Sequence, residues 1–225
     1  MIREDYILNW IKRYVQWLAE IVGLVKSEDH QGALRRIDLA LRALLELGPD
    51  SVTSLTEGEI LARLTLGDPP QLVQEKCVVL AAVLQQLGIV CLAQQRADAA
   101  RDCFVKALHL VLGLRLRGAP APLAEYAPNV EELAERLKPF VVPPRSWAAL
   151  MLFREHDGQF AKAEDALFAL LEPAPDSLDA VEMGIGFYDR LRVLSDEVLA
   201  AGDLPRPEVE AGLAELQARR QKFAG

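Results

Sequence analysis

The stretch CLAQQRADAARDCFVKALHLVLGL, residues 91–114, is the part of the sequence that indicates the fold most clearly. It begins at the end of one apolar helical pattern and continues into a second, and the polar break between them holds Gln94, Gln95, Arg96 and Asp98. A short polar break between two amphipathic patterns is typical of an antiparallel helical hairpin. The same combination recurs on both sides of this stretch, and no alternation of apolar and polar residues competes with it. The sequence therefore predicts an all-α fold built from antiparallel helical hairpins.

The expected helices follow from apolar residues at three- and four-residue spacing and from the residues that start and stop helices. Thr56 and Glu59 have the spacing of a capping box, which starts a short helix. Gly48-Pro49 stops the second helix, and Gly202 is expected to cap the penultimate one. The predicted helices cover about residues 6–25, 33–45, 57–66, 72–94, 98–114, 130–137, 147–155, 160–171, 178–201 and 207–222.

The hairpin around residues 91–114 has the residue pattern of a helical repeat. Small residues recur where its two helices must approach closely, and one aromatic ring is placed to fill the space between them. This pattern resembles a tetratricopeptide repeat. The residues that carry the resemblance are Leu84, Leu87 and Gly88 in the first helix and Ala100, Phe104 and Ala107 in the second.

Two other hairpins resemble the same repeat in part. The equivalent alanines are Ala33, Ala100 and Ala163, which are separated each time by roughly two repeats of about 34 residues. The central copy departs from the repeat at Cys91, where an aromatic is usual, and at Gln95, where glycine is usual. The prediction is a degenerate, interrupted tetratricopeptide-like array with extra packing helices. A non-repeating bundle of ordinary hairpins is the alternative.

A second resemblance covers the whole chain. The segments MIREDYI (residues 1–7) and GFYDRLRVLSDEVLAAGDLPRPEVEAGL (residues 186–213) are similar to the two ends of an uncharacterised bacterial family. Its members begin with MIRxDYI and carry FYxRL and LPRxEV near the end. The resemblance implies a helical repeat-like fold, and it supplies no activity and no site residues.

Composition limits the partners that we expect. The chain has 225 residues and a formal net charge of -8, so its acidic surface repels phosphate backbones and nucleic acid is not expected. The most hydrophobic stretch, residues 77–93, is short for a membrane span and holds Gln85 and Gln86 at its centre, so no membrane is expected. The mixed charges of the first residues do not fit a signal peptide. We expect a single domain, with a soft boundary near the Pro- and Ala-rich residues 115–127.

The sequence offers little chemistry. Cys77, Cys91 and Cys103 lie in apolar helical contexts and are expected to be buried, reduced thiols, which fits a cytoplasmic protein. No cysteines or histidines have zinc-ligand spacing, and no phosphate-loop, GxSxG or HExxH pattern is present, so no metal, cofactor or enzymatic activity is expected. The exception is thiol chemistry at Cys103, because His109 lies six residues further along the same helix.

A binding groove is the remaining functional hypothesis. In tetratricopeptide arrays the first helix of each hairpin lines the inner groove, and the aligned positions here are mostly apolar. Exposed, they would form a large apolar patch, so we expect a protein partner, a second copy in a homodimer, or the chain's own extra helices to cover them. Binding of a small molecule or lipid in an apolar pocket between helices is the alternative. The candidate groove residues are Ala82, Gln85, Ile89 and Leu92 in the central hairpin, Val22 in the first, and Arg145, Leu152 and Glu155 in the third.

Overall fold

The computed structural model describes residues 2–116, 124–173, 175 and 177–223. Within these residues it contains twelve α-helices, a short 3-10 helix at Ala124–Tyr126 and no strand, which confirms the all-α prediction. The helices are α1 (Ile2–Lys26), α2 (His30–Leu45), α3 (Pro49–Ser54), α4 (Glu57–Thr65), α5 (Pro70–Ala93), α6 (Ala97–Leu116), α7 (Val130–Leu137), α8 (Pro144–His156), α9 (Phe160–Leu171), α10 (Leu178–Arg192), α11 (Asp196–Ala201) and α12 (Arg206–Gln221).

The chain forms two compact units, an N-terminal unit of residues Met1–Val142 and a C-terminal unit of residues Pro143–Gly225. The division falls after α7, where Pro143 and Pro144 start α8. The boundary expected near residues 115–127 lies largely outside the described residues, because these omit residues 117–123. The expectation of a single domain stays a prediction.

Helix α5 lies at the centre of the N-terminal unit because it is apolar on nearly all sides. Leu80, Leu84 and Leu87 are fully buried, and the helix packs against α1, α2, α4 and α6. By length and composition α5 could cross a membrane, since its most apolar window has a mean hydropathy of 2.0, yet 72% of that window is buried inside the protein. Core helices of soluble proteins share these properties, so α5 is weak evidence for a membrane span.

The contact between α5 and α6 depends on a glycine facing an aromatic ring. Phe104 is fully buried, and a Cβ atom at Gly88 would lie 2.5 Å from its Cε1 atom. The guanidinium of Arg136 in α7 lies 5.9 Å from the centroid of the same ring. In the turn between the two helices, Gln95 adopts a left-handed conformation with φ of 59°. The ring of Phe104 therefore packs directly on the backbone at Gly88.

Helices α3 and α4 follow α6 along its length. The first contact is an ion pair at the start of α6, the next is a hydrogen bond from a buried lysine to a backbone carbonyl, and the third is a histidine–carboxylate contact. In chain order these contacts are Asp50 Oδ1 to Arg96 Nη2 at 2.9 Å, Thr53 O to Lys106 Nζ at 2.6 Å, and Glu57 Oε1 to His109 Nδ1 at 3.2 Å. Further on, Leu61 and Leu114 line the same pocket. Residues 50–65 therefore run beside α6 and in the same direction.

Helices α3 and α4 form a crossover between α2 and α5, and this crossover sets the direction of α5. The ion pair of Asp50 and Arg96 places the α5–α6 turn beside the end of α2. In an array of hairpins joined by short loops, each helix would run antiparallel to the one before it. The α5–α6 turn would then lie beside the start of α2 instead of its end. Here α3 and α4 carry the chain back along the unit before α5 begins. Helix α5 therefore points the same way as α2 and opposite to α1.

The C-terminal unit contains two helix pairs, α8 with α9 and α10 with α12. A close backbone contact occurs at Gly202: a Cβ atom there would lie 2.6 Å from Gly158 O, and Gly202 O accepts a hydrogen bond from Ala161 N at 3.0 Å. Gly202 is the C-cap of α11, as predicted, although its φ of -91° is not left-handed. The small size of Gly202, rather than its backbone freedom, is what this position requires.

One helix prediction was wrong. The helix predicted over residues 178–201 is broken into α10 and α11, and the hydroxyl of Ser195 caps the new start by accepting a hydrogen bond from Val198 N. The short helix α3, with Pro49 in its first turn, was not among the predicted helices. The capping box of Thr56 and Glu59 is confirmed, with both reciprocal hydrogen bonds present.

Candidate functional site

The predicted groove residues of α5 differ in exposure along the helix. Ala82 and Gln85 are buried, Ile89 is half-buried and Leu92 is 40% exposed. The N-terminal part of this face is covered because α5 packs against α1, α2 and α4. Of the chain's own extra helices, which were expected to cover the groove, α4 packs on α5 and α7 packs on α6.

The groove residues do not form one surface within the N-terminal unit. Val22 is half-buried and lies near the α1–α2 turn, whereas Leu92 lies near the α5–α6 turn. Since α5 points opposite to α1, these two turns lie at opposite ends of α2, a helix of 16 residues and therefore about 24 Å long.

The remaining groove residues belong to the C-terminal unit. Arg145 is exposed and Leu152 is 42% exposed on α8. Glu155 accepts two hydrogen bonds from the guanidinium of Arg190, at 2.6 and 2.8 Å. The Glu155 carboxylate thus links α8 to α10 within this unit.

A pocket that sequence reasoning missed lies where the end of α4, the start of α5 and the end of α6 meet. Its volume is about 410 Å³. Two exposed leucines follow pocket-lining residues closely in sequence: Leu66, which is 84% exposed, and Leu116, which is 40% exposed. The lining is mostly apolar and consists of Leu61, Thr65, Asp68, Pro70, Val73, Gln74, Cys77 and Leu114.

The polar groups of this pocket are partly engaged by the protein itself. The Asp68 carboxylate pairs with the Lys76 ammonium, and the Thr65 hydroxyl donates to Ala62 O at 3.0 Å. The pocket exists because Gly67, with φ of 80°, turns the chain sharply before Pro69 and Pro70 start the next helix. That turn separates the end of α4 from the start of α5. The sequence GDPP was a signal for the turn, but it did not indicate which residues would surround the pocket.

The Cys103 thiol, predicted as a possible nucleophile, neighbours a second thiol, that of Cys91, across the α5–α6 hairpin, and both residues are fully buried. The interaction with Cys103 lowers the pKa of Cys91 to about 7, and the charge of Arg96 also lowers this pKa against the effect of burial. The interaction with Cys91, followed by burial, raises the pKa of Cys103. His109 lies against Glu57, as described above. The expected absence of enzymatic activity stays a prediction.

The segments FYDRL and LPRPEV contribute contacts within the C-terminal unit. The hydroxyl of Tyr188 donates to Glu164 at 2.6 Å. The guanidinium of Arg206 pairs with Asp196 and also donates to the carbonyl oxygens of Arg192 at 3.1 Å and Leu194 at 2.6 Å. Arg206 thereby binds both backbone carbonyls next to the break between α10 and α11. These side chains stabilise the helix packing of the unit.

The model of a family described as a family of unknown function, DUF6483, matches residues 1–221. The chain belongs to DUF6483. No curated protein and no solved structure matches it. Membership of DUF6483 confirms the predicted relationship to an uncharacterised family, and the match spans both compact units. Because the DUF6483 description supplies no activity, the function has to be inferred from the site.

Among the described residues, no group of three or more His, Cys, Asp or Glu side chains is placed to hold a metal ion. The features with functional potential are the pocket between α4, α5 and α6 and the exposed leucines that follow its lining residues in the sequence.

Proposed function

We propose that this DUF6483 member is a non-enzymatic interaction module that binds another protein, or a second copy of itself, over the pocket between α4, α5 and α6. Tetratricopeptide-like hairpins serve as its scaffold, with the crossover of α3 and α4 replacing the regular connection. The observation that carries the proposal is an apolar pocket together with two exposed leucines, Leu66 and Leu116, each of which lies within two residues of a pocket-lining residue in the sequence.

The energetics of apolar surface support this function. Leu66 is 84% exposed, and exposure of a leucine side chain forgoes roughly 1.5–3 kcal/mol of burial free energy. Single exposed leucines are ordinary, but two of them beside an apolar pocket form the arrangement that partner side chains use as anchors. The formal charge of -8 favours a partner with a basic or neutral surface.

Light scattering and partner capture test the proposal. The variants Leu66→Glu and Leu116→Glu place charges beside the pocket at exposed positions, so they leave folding intact. Leu39→Glu is the matched control, because Leu39 is 50% exposed on α2 and does not line the pocket. We expect the two pocket variants, and not the control, to lose the dimer or the captured partner. A chain that is monomeric at all concentrations and retains no partner would contradict the proposal.

A second candidate function is the binding of an apolar small molecule in the same pocket. Its volume of about 410 Å³ supports this function, because ligand pockets span roughly 300–1,000 Å³. Native mass spectrometry distinguishes the two. A co-purifying ligand that Val73→Trp displaces, with the association state unchanged, would favour the small molecule. An empty pocket would remove this candidate.

We also propose a cytoplasmic location. The support is that Cys77, Cys91 and Cys103 are all buried and none forms a disulfide. Fluorescence microscopy of a tagged full-length chain tests the location, and accumulation outside the cytoplasm would contradict it.

A further inference from the structure

A second pocket lies in the C-terminal unit, where the connection between α9 and α10 meets the end of α12. Its volume is about 510 Å³, within the range of roughly 300–1,000 Å³ that small-molecule sites occupy. The residues that line this cavity, called the α12 pocket, include Pro175, Arg219, Lys222 and Phe223. Two cations and one aromatic ring thus share a cavity, on a chain whose formal net charge is -8.

The two cations of the α12 pocket differ in their partners. The Arg219 guanidinium donates from Nη2 to Glu215 Oε1 at 2.6 Å, and a guanidinium carries five N–H donors in all. Among the described residues, no carboxylate or other acceptor engages the Lys222 ammonium. Glu215 neutralises one of the two cations, so the group keeps a single positive charge. A monoanion has the charge that this group requires.

The rest of the α12 pocket offers an apolar wall. The ring of Phe223 is 39% exposed, and Pro175 is exposed on the connection between α9 and α10. An aromatic ring packs well against a planar or apolar group, because its faces and edges bury a large area. The pocket therefore selects for an apolar body attached to the anion, and not for a bare anion alone.

We propose that the α12 pocket binds an organic monocarboxylate with a planar or apolar body. The carboxylate accepts hydrogen bonds from Arg219 and Lys222, and charge assistance strengthens such bonds. The body packs against Phe223 and Pro175. The inference goes beyond the proposed interaction function, because the α12 pocket belongs to the C-terminal unit and the interaction surface to the N-terminal unit.

Titration of the full-length, ¹⁵N-labelled chain with benzoate at constant ionic strength, followed by nuclear magnetic resonance, tests the proposal. We expect a dissociation constant of about 1 mM or lower, with the largest amide shifts at residues 219–223. Acetate lacks the planar body and benzyl alcohol lacks the charge. Each should bind at least about fivefold more weakly than benzoate, because each engages only half of the site.

One substitution and a matched control separate a specific site from general attraction. Lys222→Gln should weaken benzoate binding about fivefold, because it removes the cation that no acceptor engages. Arg220→Gln makes the same change in net charge in the same turn of the chain. Arg220 pairs with Glu182 at 3.6 Å and is not among the residues that line the pocket, so this variant should bind benzoate like the wild type.

Three outcomes would overturn the proposal: no benzoate-dependent shifts at residues 219–223, binding of benzyl alcohol or acetate as tight as that of benzoate, or equal losses in Lys222→Gln and Arg220→Gln. The comparison of the three probes uses the wild type, so the test holds even if a variant folds poorly. Light scattering of the Leu66 and Leu116 variants does not involve the α12 pocket, so its failure is separate from a failure of the interaction function.

Discussion

The packing of Phe104 on Gly88 makes a sharp prediction about Gly88→Ala. The new Cβ would lie 2.5, 2.8 and 2.9 Å from three ring carbons of Phe104. Carbon atoms prefer a separation of about 3.5–4.0 Å, so the ring has to move by about 1 Å inside a fully buried site. Overpacking of this kind costs about 1–3 kcal/mol. Alanine gains about 1 kcal/mol over glycine in a helix, so the net loss of unfolding free energy should be about 1 kcal/mol.

Removal of the ring reverses the sign. Phe104→Ala alone should lose about 3–5 kcal/mol, because the side chain is fully buried and leaves a cavity. In that background Gly88→Ala should gain about 1 kcal/mol, since only the helix propensity remains. The double-mutant cycle should therefore give a coupling energy of about 2 kcal/mol, within the usual range for residues in contact.

Urea unfolding, monitored by far-UV circular dichroism and tryptophan fluorescence, measures the unfolding free energy of the wild type, the two single variants and the double variant. The control is Gly23→Ala in α1, where a Cβ would meet nothing within 4 Å, so it should gain about 1 kcal/mol in either background. The reasoning is refuted if Gly88→Ala stabilises the wild type as much as Gly23→Ala does, or if Phe104→Ala loses less than about 1 kcal/mol.

Three further predictions concern single positions. Gln95→Gly should raise the unfolding free energy by about 0.5–1 kcal/mol, because Gln95 has φ of 59° and non-glycine residues are strained there. The control Gln94→Gly, where φ is -89°, should give no gain, and equal effects of the two substitutions in urea unfolding would contradict strain at Gln95. Thr56→Ala should lose about 1 kcal/mol by the same assay, because it removes the capping box of α4, and an unchanged midpoint would show that the cap is not needed. Burial, and then the neighbouring acids, raise the pKa of Glu164 against the opposing effect of its Tyr188 hydrogen bond. The stability that the protonated Glu164 carboxyl contributes is therefore fully present below the unfolded pKa of 4.5 and is lost as pH rises through the folded pKa. Glu164→Gln keeps an acceptor for Tyr188 and removes the charge, so it should flatten the fall in melting temperature above pH 4.5, and an unchanged pH profile would contradict this assignment.

Local patterns predicted most of the helices, because apolar periodicity and capping residues act within one or two turns. The capping box of Thr56 and Glu59 is the clearest example. The break between α10 and α11 could not be predicted from periodicity, since apolar residues continue through it. Arg206, twelve and fourteen residues further on, binds the carbonyls of Leu194 and Arg192 that the break exposes. Long-range contacts of this kind have no local signal.

The candidate groove depended on the direction of α5, which the sequence did not reveal. Arg96 and Asp50 are 46 residues apart, and Lys106 and Thr53 are 53 apart. These two contacts hold the crossover against α6, yet each residue is locally an ordinary turn or helix residue. The pocket between α4, α5 and α6 was missed for the same reason, because it arises where the crossover ends.

The distance between Lys26 and Ala93 tests the direction of α5 most directly. Both are exposed, each lies at the last residue of its helix, and both occupy equivalent positions in the aligned hairpins. Spin labels on Lys26→Cys and Ala93→Cys, measured by electron paramagnetic resonance, should be at least about 20 Å apart, because the two turns lie at opposite ends of α2. A regular array of hairpins would instead place them side by side at about 10 Å, the spacing of packed helices. A separation near that value would contradict the crossover and would restore the groove of Val22, Ile89 and Leu92 as the candidate binding surface.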